Sequence, residues 1–542
     1  MGRITDDTLG ALANLGDLFA YRARDCDGSA AIVQQDHALS FAQVWDEAGA
    51  LAGFLQQVCG VEPGDRVALM LSNRPEFVVA TAAIHAIGAV QVNINPHYVA
   101  RELHHQLVDS GAGTIILSGR EMAVLRAANA DCVCHAVVID AENVETSPGL
   151  ALASYVEAVA AGMSFVPSRR GRDDLALLQY TGGTTGRAKG AMLSHGNLLS
   201  NIAQFTGWIE GGLKETGLGG VPPVVLTAIP LYHIFALTVN LLGTWAMGGR
   251  NVLIRDTRDV ALLSEEWSRH GVSFVTGVNT LYKALLASPE FAGLDLSQGV
   301  VAMGGGAPVQ RPVSDRWNER TGRHIIEGYG LSETSPILTC TPFFERRFLG
   351  SIGQAMPGTR IAIRDEFGQD LPIGETGELC ASGPQVMQGY WRQPEATAQV
   401  LGEDGFLRTG DLARRDEEGN YYILDRAKDM ILVSGFNVYP NEIEETVSAL
   451  PGVVECACVG APDPKSGEAA VLFVVADPAA LDEAAVLDHC RANLTGYKVP
   501  RRVFVVREIP KSAVGKILRR ELRDAAPAML AGEVLSEPVR AA

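Results

Sequence analysis

The chain has 542 residues, 47% hydrophobic and 20% charged, enough for two or more packed units with a large core, which excludes a single small binding module. Forty-five Lys and Arg against 63 Asp and Glu give a net charge of −18, a field that repels phosphate polymers and disfavours nucleic-acid binding. The acidic start lacks the cationic and apolar regions of a signal peptide. The most apolar stretch, around 77–84, is soon broken by His85, Gln91 and Asn93, so no transmembrane helix is expected.

Short apolar segments at 66–71, 114–117, 136–139, 224–229, 252–254, 274–276 and 300–303 read as strands, and 75–87 and 260–270 between them read as helices. That alternation predicts layered α/β architecture with largely parallel sheets. Beyond about 350 the segments 360–364, 377–382 and 421–424 are short strands parted by Gly-Pro and acidic-Gly turns, which predicts a small antiparallel, β-barrel-like part. A third texture begins near Asp429. A helix at 441–445, strands at 453–459 and 471–475 and a helix at 485–494 make a compact α+β set. From about Ala525 the chain is rich in Ala and Pro and reads as a loosely held tail. The nine cysteines are odd in number, dispersed and without metal-type spacing, so buried, reduced thiols in a cytoplasmic protein are expected.

The densest chemical signal is Tyr180-Thr-Gly-Gly-Thr-Thr-Gly-Arg-Ala-Lys-Gly190, lying between an apolar strand at 175–178 and a helix at 195–202. Gly182, Gly183 and Gly186 let the backbone approach an anion, Thr181, Thr184 and Thr185 offer hydroxyl donors, and Lys189 adds charge. This is polyphosphate-binding chemistry. No GxxxxGK[ST] spacing occurs, so it is not a Walker loop.

The loop resembles the signature of the adenylate-forming superfamily, which contains acyl-CoA synthetases, luciferases and the adenylation domains of peptide synthetases. The usual second-position Ser is Gly182 here, a change associated with bacterial long-chain fatty-acid:CoA ligases. Glu327-Gly-Tyr-Gly-Leu-Ser-Glu-Thr334 resembles the second nucleotide motif. By that resemblance Glu333 and Thr181 hold Mg²⁺, Thr334 contacts an ATP phosphate, and Glu327 and Tyr329 belong to the nucleotide site. Gly304-Gly-Gly-Ala-Pro308 resembles the segment against the adenine, which implicates Gly305, Gly306 and Ala307. Thr409-Gly-Asp411 resembles the motif whose aspartate accepts from the ribose hydroxyls.

The segment 425–437 resembles the family hinge. The match implies a swivel at Lys428, a ribose or phosphate contact at Arg426, and Gly435 on the pantetheine tunnel. Pro510-Lys-Ser-Ala-Val-Gly-Lys516 resembles the last motif, with Lys516 as the adenylation lysine. The division implied is a large AMP- and acyl-binding domain over 1–427 and a small mobile domain over 428–542. Leu231-Tyr-His-Ile-Phe235 resembles the acyl-pocket motif, with His233 beside the reacting carboxylate. It lacks the aspartate that would pair with an amino-acid amine, which argues against a peptide-synthetase module.

An acyl tunnel is expected from 232–241, 276–281, 303–306 and 329–338. Arg501, Arg502, Arg519 and Arg520 are read as partners for the phosphates of CoA. The resemblance therefore implies a cytoplasmic enzyme that activates a medium-to-long-chain fatty acid with Mg·ATP and passes the acyl group to CoA. Peripheral contact with the inner face of a membrane and a homodimer are compatible with it. The alternatives left open are loading of a carrier protein, another aryl or alkyl carboxylate, and a non-catalytic acyl-adenylate sensor.

Overall fold

The computed structural model describes residues 3–26, 28–141, 149–181, 188–215, 217–257, 259–476, 481–512 and 515–531. Strands that are apolar on both faces need cover on both sides, and two large sheets form accordingly. One runs Ala151–Ser154, His135–Ile139, Thr114–Ser118, Arg66–Met70, Val90–Asn93, Leu175–Thr181, Lys189–Ser194. Its neighbours pair in parallel except the last two strands, which form an antiparallel hairpin. The other carries Ala30–Gln34, Arg250–Leu253, Val224–Thr227, Phe274–Gly277, Val301–Gly304 and Ile326–Gly330 in parallel, with antiparallel strands at both edges.

The apolar stretch at 77–84 belongs to the helix Pro75–Ala86, every residue of which except Glu76 is buried, most of them in a core shared by both sheets. A helix covered all round needs no polar face. No helix of the described residues is long and apolar enough to cross a membrane.

The part expected to be barrel-like is an open antiparallel sheet of four strands, Arg360–Arg364, Gly377–Ser382, Leu407–Arg415 and Tyr421–Arg426. Closure is unnecessary because Leu338, from the neighbouring sheet, shares the core made by Ile363, Leu379, Ala381 and Ala413. The C-terminal unit has Val453–Asp463 and Gly467–Ala476 at its centre, flanked by Ile431–Val433, Phe436–Val438 and Arg502–Val506. Side chains alternate across it. Cys456 and Cys458 face the helices Pro440–Ser448 and Glu483–Asn493, while Ala457 and Val459 face the helix Arg519–Leu530.

That last helix corrects the expected tail as far as Ala531, and residues 532–542 lie outside the described residues. Leu522 and Ala526 are fully buried, and Met529 and Leu530 pack beside them, so the amphipathic spacing outweighs Pro527 inside the helix. Most cysteines are buried, but Cys59 and Cys132 are only partly so and Cys134 is exposed; all are free thiols.

Candidate active site

The phosphate-loop residues Gly182, Gly183, Thr184, Thr185 and Gly186 lie outside the described residues; their two anchors do not. Thr181 ends one strand and Lys189 begins the next, paired directly across the antiparallel hairpin. The strand and helix expected on either side of the loop occur as Leu175–Thr181 and His195–Glu215, with a further strand, Lys189–Ser194, before the helix. Both stems are braced by the helix Ala100–Ser110. Tyr180 donates to Asp109 at 2.6 Å, and His105 Nε2 donates to the Ala188 carbonyl at 3.0 Å.

Lys189 Nζ lies 5.0 Å from the centre of the Tyr390 ring, whose hydroxyl donates to Glu333 Oε1 at 2.8 Å. Glu333, Tyr390, Thr409 and Gly410 line a cavity of about 400 Å³. Among the described residues nothing is bonded to the second oxygen of Glu333, a hard donor of the kind Mg²⁺ prefers. Thr334 is a correction. It is fully buried, its hydroxyl accepts from Leu331 N–H, and it donates to the carbonyls of Leu331 and Pro336, so it staples the turn and offers nothing to a phosphate. The partly exposed hydroxyl of that turn is Ser332.

Glu327 also has a partner inside the protein. It is buried, accepts from Val309 N–H at 3.2 Å, and is pushed by that burial up to about 8. It therefore anchors the end of the glycine segment rather than a ligand. Gly305 is packed, since a Cβ there would fall 3.0 Å from the Phe235 ring. Gly306, at φ +78°, is exposed with open space beside it, and Ala307 is partly exposed.

Asp411 gathers the other half. Tyr329 donates to its Oδ2 at 2.5 Å, and Arg426, opposite it on the neighbouring strand, lies 3.4 Å from its Oδ1. Each oxygen keeps a further lone pair for a hydroxyl donor. Lys516, carried by the C-terminal unit, is within electrostatic reach of Asp411 and Arg426. Burial, then the charges of Arg426, Arg519 and Lys428, pull its ammonium down to about 8 against the opposing effect of Asp411. His233 also feels Lys516: burial first and that charge second hold its imidazole at about 4. Its Nδ1 accepts from Phe235 N–H at 3.3 Å, which leaves the proton of the neutral ring on Nε2. Lys428 is exposed in the turn after Tyr421–Arg426.

Gly435 is not with them. It sits at φ +86° after Ser434 at φ +51°, in the two-residue turn between Ile431–Val433 and Phe436–Val438, and an added Cβ would meet nothing within 4 Å. The arginines read as CoA contacts have partners within the protein: Arg501 with Asp463, Arg502 with Glu483, and partly buried Arg519 with both oxygens of Glu444. Arg520 is 3.8 Å from Asp524.

A family model described as AMP-binding enzyme matches residues 19–391, and one described as AMP-binding enzyme C-terminal domain matches 442–516. The chain belongs to the AMP-binding enzyme family. Among members of this family, the long-chain-fatty-acid–CoA ligase of Salmonella typhimurium strain LT2 is 44% identical over 95% of this chain and 94% of its own. ATP-bound MatB from Rhodopseudomonas palustris superposes with a TM-score of 0.84 at 32% identity, covering 95% of this chain and 99% of that one. Its apo form gives 0.73 at the same identity and coverage.

As an AMP-binding enzyme the chain thus pairs Asp411 with Arg426, puts Lys516 within electrostatic reach of both and of His233, and sets Glu333 and Lys189 about Tyr390, while Thr334 and Glu327 are hydrogen-bonded within the protein and Gly435 lies in a hairpin turn. Tyr390, Asp109 and His105 were missed. Their only sequence signal is position near glycine-rich segments, because the contacts that give them meaning join residues tens to hundreds of positions apart.

Proposed function

We propose that the protein is an AMP-forming fatty acid:CoA ligase whose large domain, over 1–427, and small domain, over 428–542, share one active site. The observation that carries this reading is the convergence of Lys516 from the small domain with Asp411, Arg426 and His233 from the large one. Attack of a carboxylate oxygen on the α-phosphorus of ATP forms the acyl-phosphate bond and expels pyrophosphate, and it brings anions together. Lys516 supplies the cation at that point, and His233 Nε2–H orients the attacking carboxylate. Thr181 and Lys189 grip the polyphosphate, while Asp411 and Arg426 fix the ribose. Gly306, with open space beside it, leaves a flat approach for the base.

Glu333 would hold Mg²⁺, which when bound neutralises phosphate charge, and Tyr390 keeps the carboxylate turned. In the second half-reaction the CoA thiol adds to the acyl carbonyl and AMP leaves. The apolar surroundings of His233, including Phe235 and the buried segment Ala236–Gly243, suit an alkyl chain better than a charged acid. The similarity to ligases named for long-chain fatty acids supports the same substrate class. The matching localisation is the cytoplasm, with the acid drawn from the inner face of the membrane.

Changing Lys516→Ala tests the assignment. Fatty-acid-dependent pyrophosphate release should fall by about 10²–10³-fold, while supplied acyl-adenylate and CoA still give thioester. Equal loss of both steps contradicts the division of labour. Detection of acyl-CoA as the product distinguishes CoA from a carrier protein as acceptor.

A further inference from the structure

The junction between the strand Phe274–Gly277 and the helix Asn279–Ala287 holds the C-terminal unit at three points. Val278 and Thr280 stand against Gly515, next to Lys516; a Cβ on Gly515 would lie 3.1 and 3.2 Å from their side chains, and its φ is +76°. One turn further, Lys283 Nζ donates to the Val454 carbonyl at 2.6 Å. Asn279, on the same helix face as Lys283, exchanges two hydrogen bonds with Gln310 at 3.0 and 3.1 Å. Held that way, Gln310 Nε2 donates to Ser448 Oγ at 2.8 Å.

The surroundings make Lys283 more than a surface cation. It is partly buried beside Cys456 and Glu455, with Lys511 and Arg316 nearby, and burial lowers its ammonium. The Glu455 carboxylate is taken by Lys511 at 2.8 Å, so the hydrogen bond of Lys283 goes to the Val454 backbone. Both side-chain bridges are polar, which suits a contact that has to separate, since each group is hydrated on opening. The closer match to the ATP-bound than to the apo form of one relative agrees with a nucleotide-engaged arrangement of the two units.

We propose that Lys283 and Gln310 form a polar clasp that holds the small domain where Lys516 faces Asp411, and so act as positioning residues for acyl-adenylate formation. The clasp rests on the ligase reading given above, and it has to open before the domain turns for thioester formation. Neither residue is assigned to nucleotide, acid or CoA. They act through the position of Lys516.

The test uses the full chain carrying Lys283→Met or Gln310→Leu, with Lys283→Arg as the conservative control. Pyrophosphate release should fall about tenfold in each disruptive variant, because one hydrogen bond, charge-assisted at Lys283, is removed from the closed state alone. Conversion of supplied acyl-adenylate to thioester should be unchanged or faster. Amide hydrogen exchange across 448–456, measured with a non-hydrolysable ATP analogue, should rise, and Lys283→Arg should restore both readouts. Equal loss of the two half-reactions, or unchanged release with unchanged exchange, overturns the clasp. Wild-type protein that releases no pyrophosphate with any fatty acid overturns the ligase reading instead. The exchange measurement needs no turnover and then decides the clasp by itself.

Discussion

Lys516 holds its proton less firmly than a solvated lysine because it is buried among cations. Its working form is the ammonium, so activity in the first half-reaction should be present below about pH 8 and be lost as pH rises through that value. The kcat/KM for ATP in pyrophosphate release, which reports the free enzyme, should show this limb, and Lys516→Arg should flatten it because guanidinium stays charged. A limb unchanged in the arginine variant would assign it to another group. His233 carries the opposite burden: held at about 4, it is neutral at pH 7 and serves as a donor of fixed tautomer. At this scale the sequence was informative about residue types and weaker about direction. Ser332 and Thr334 are two positions apart in one motif, and only the turn geometry shows that the second hydroxyl is consumed by Leu331 and Pro336. Glu327 reads as a ligand in sequence and as an anchor in space for the same reason.

Among the elements, those with a clear period were legible. The helices expected at 75–87 and 260–270 occur as Pro75–Ala86 and Val260–His270, and the alternation around Cys456 and Cys458 gives the two-faced sheet of the C-terminal unit. The segment Ala236–Gly243 was not legible, because its sequence is nearly all apolar and carries no period; it is a π-helix. Its one amide, Asn240, accepts from Thr276 Oγ1 at 2.9 Å and donates to Thr227 Oγ1 at 3.2 Å, which ties the wide turn to two central strands. Asn240→Leu would strand the Thr276 hydroxyl in the core. Denaturant unfolding should show a loss of about 1–3 kcal/mol, the penalty of a buried unpaired group. An unchanged midpoint would mean that the hydroxyl finds another partner.

For the molecule as a whole, the two large sheets and the C-terminal unit followed from the change of texture along the chain, while the way the units face each other did not, since contacts such as Lys283 with Val454 leave no local trace. The core shared by the large sheets contains a weakness of its own. His85 and His195 meet at 5.6 Å between ring centres, and His85 Nδ1 and His195 Nε2 are buried without a partner among the described residues. Burial holds His195 at about 4 and His85 well below 6.5. Below pH 6.5 the unfolded chain therefore takes up protons that the folded one refuses, and stability declines as pH falls towards 4. His195 alone accounts for a loss of about 2 kcal/mol between pH 7 and pH 5, and His195→Gln should reduce the pH dependence of the urea midpoint by that amount. A wild-type midpoint equal at both pH values would contradict this.

The hairpin pairing of Thr181 with Lys189 has an engineering consequence. Strand pairing pins the two ends of the intervening segment about 5 Å apart, whatever its residues. The segment is thus a cassette with standard fittings. Libraries that vary it, or exchange it for that of a relative, test the proposed triphosphate contacts while the strands on either side stay the same.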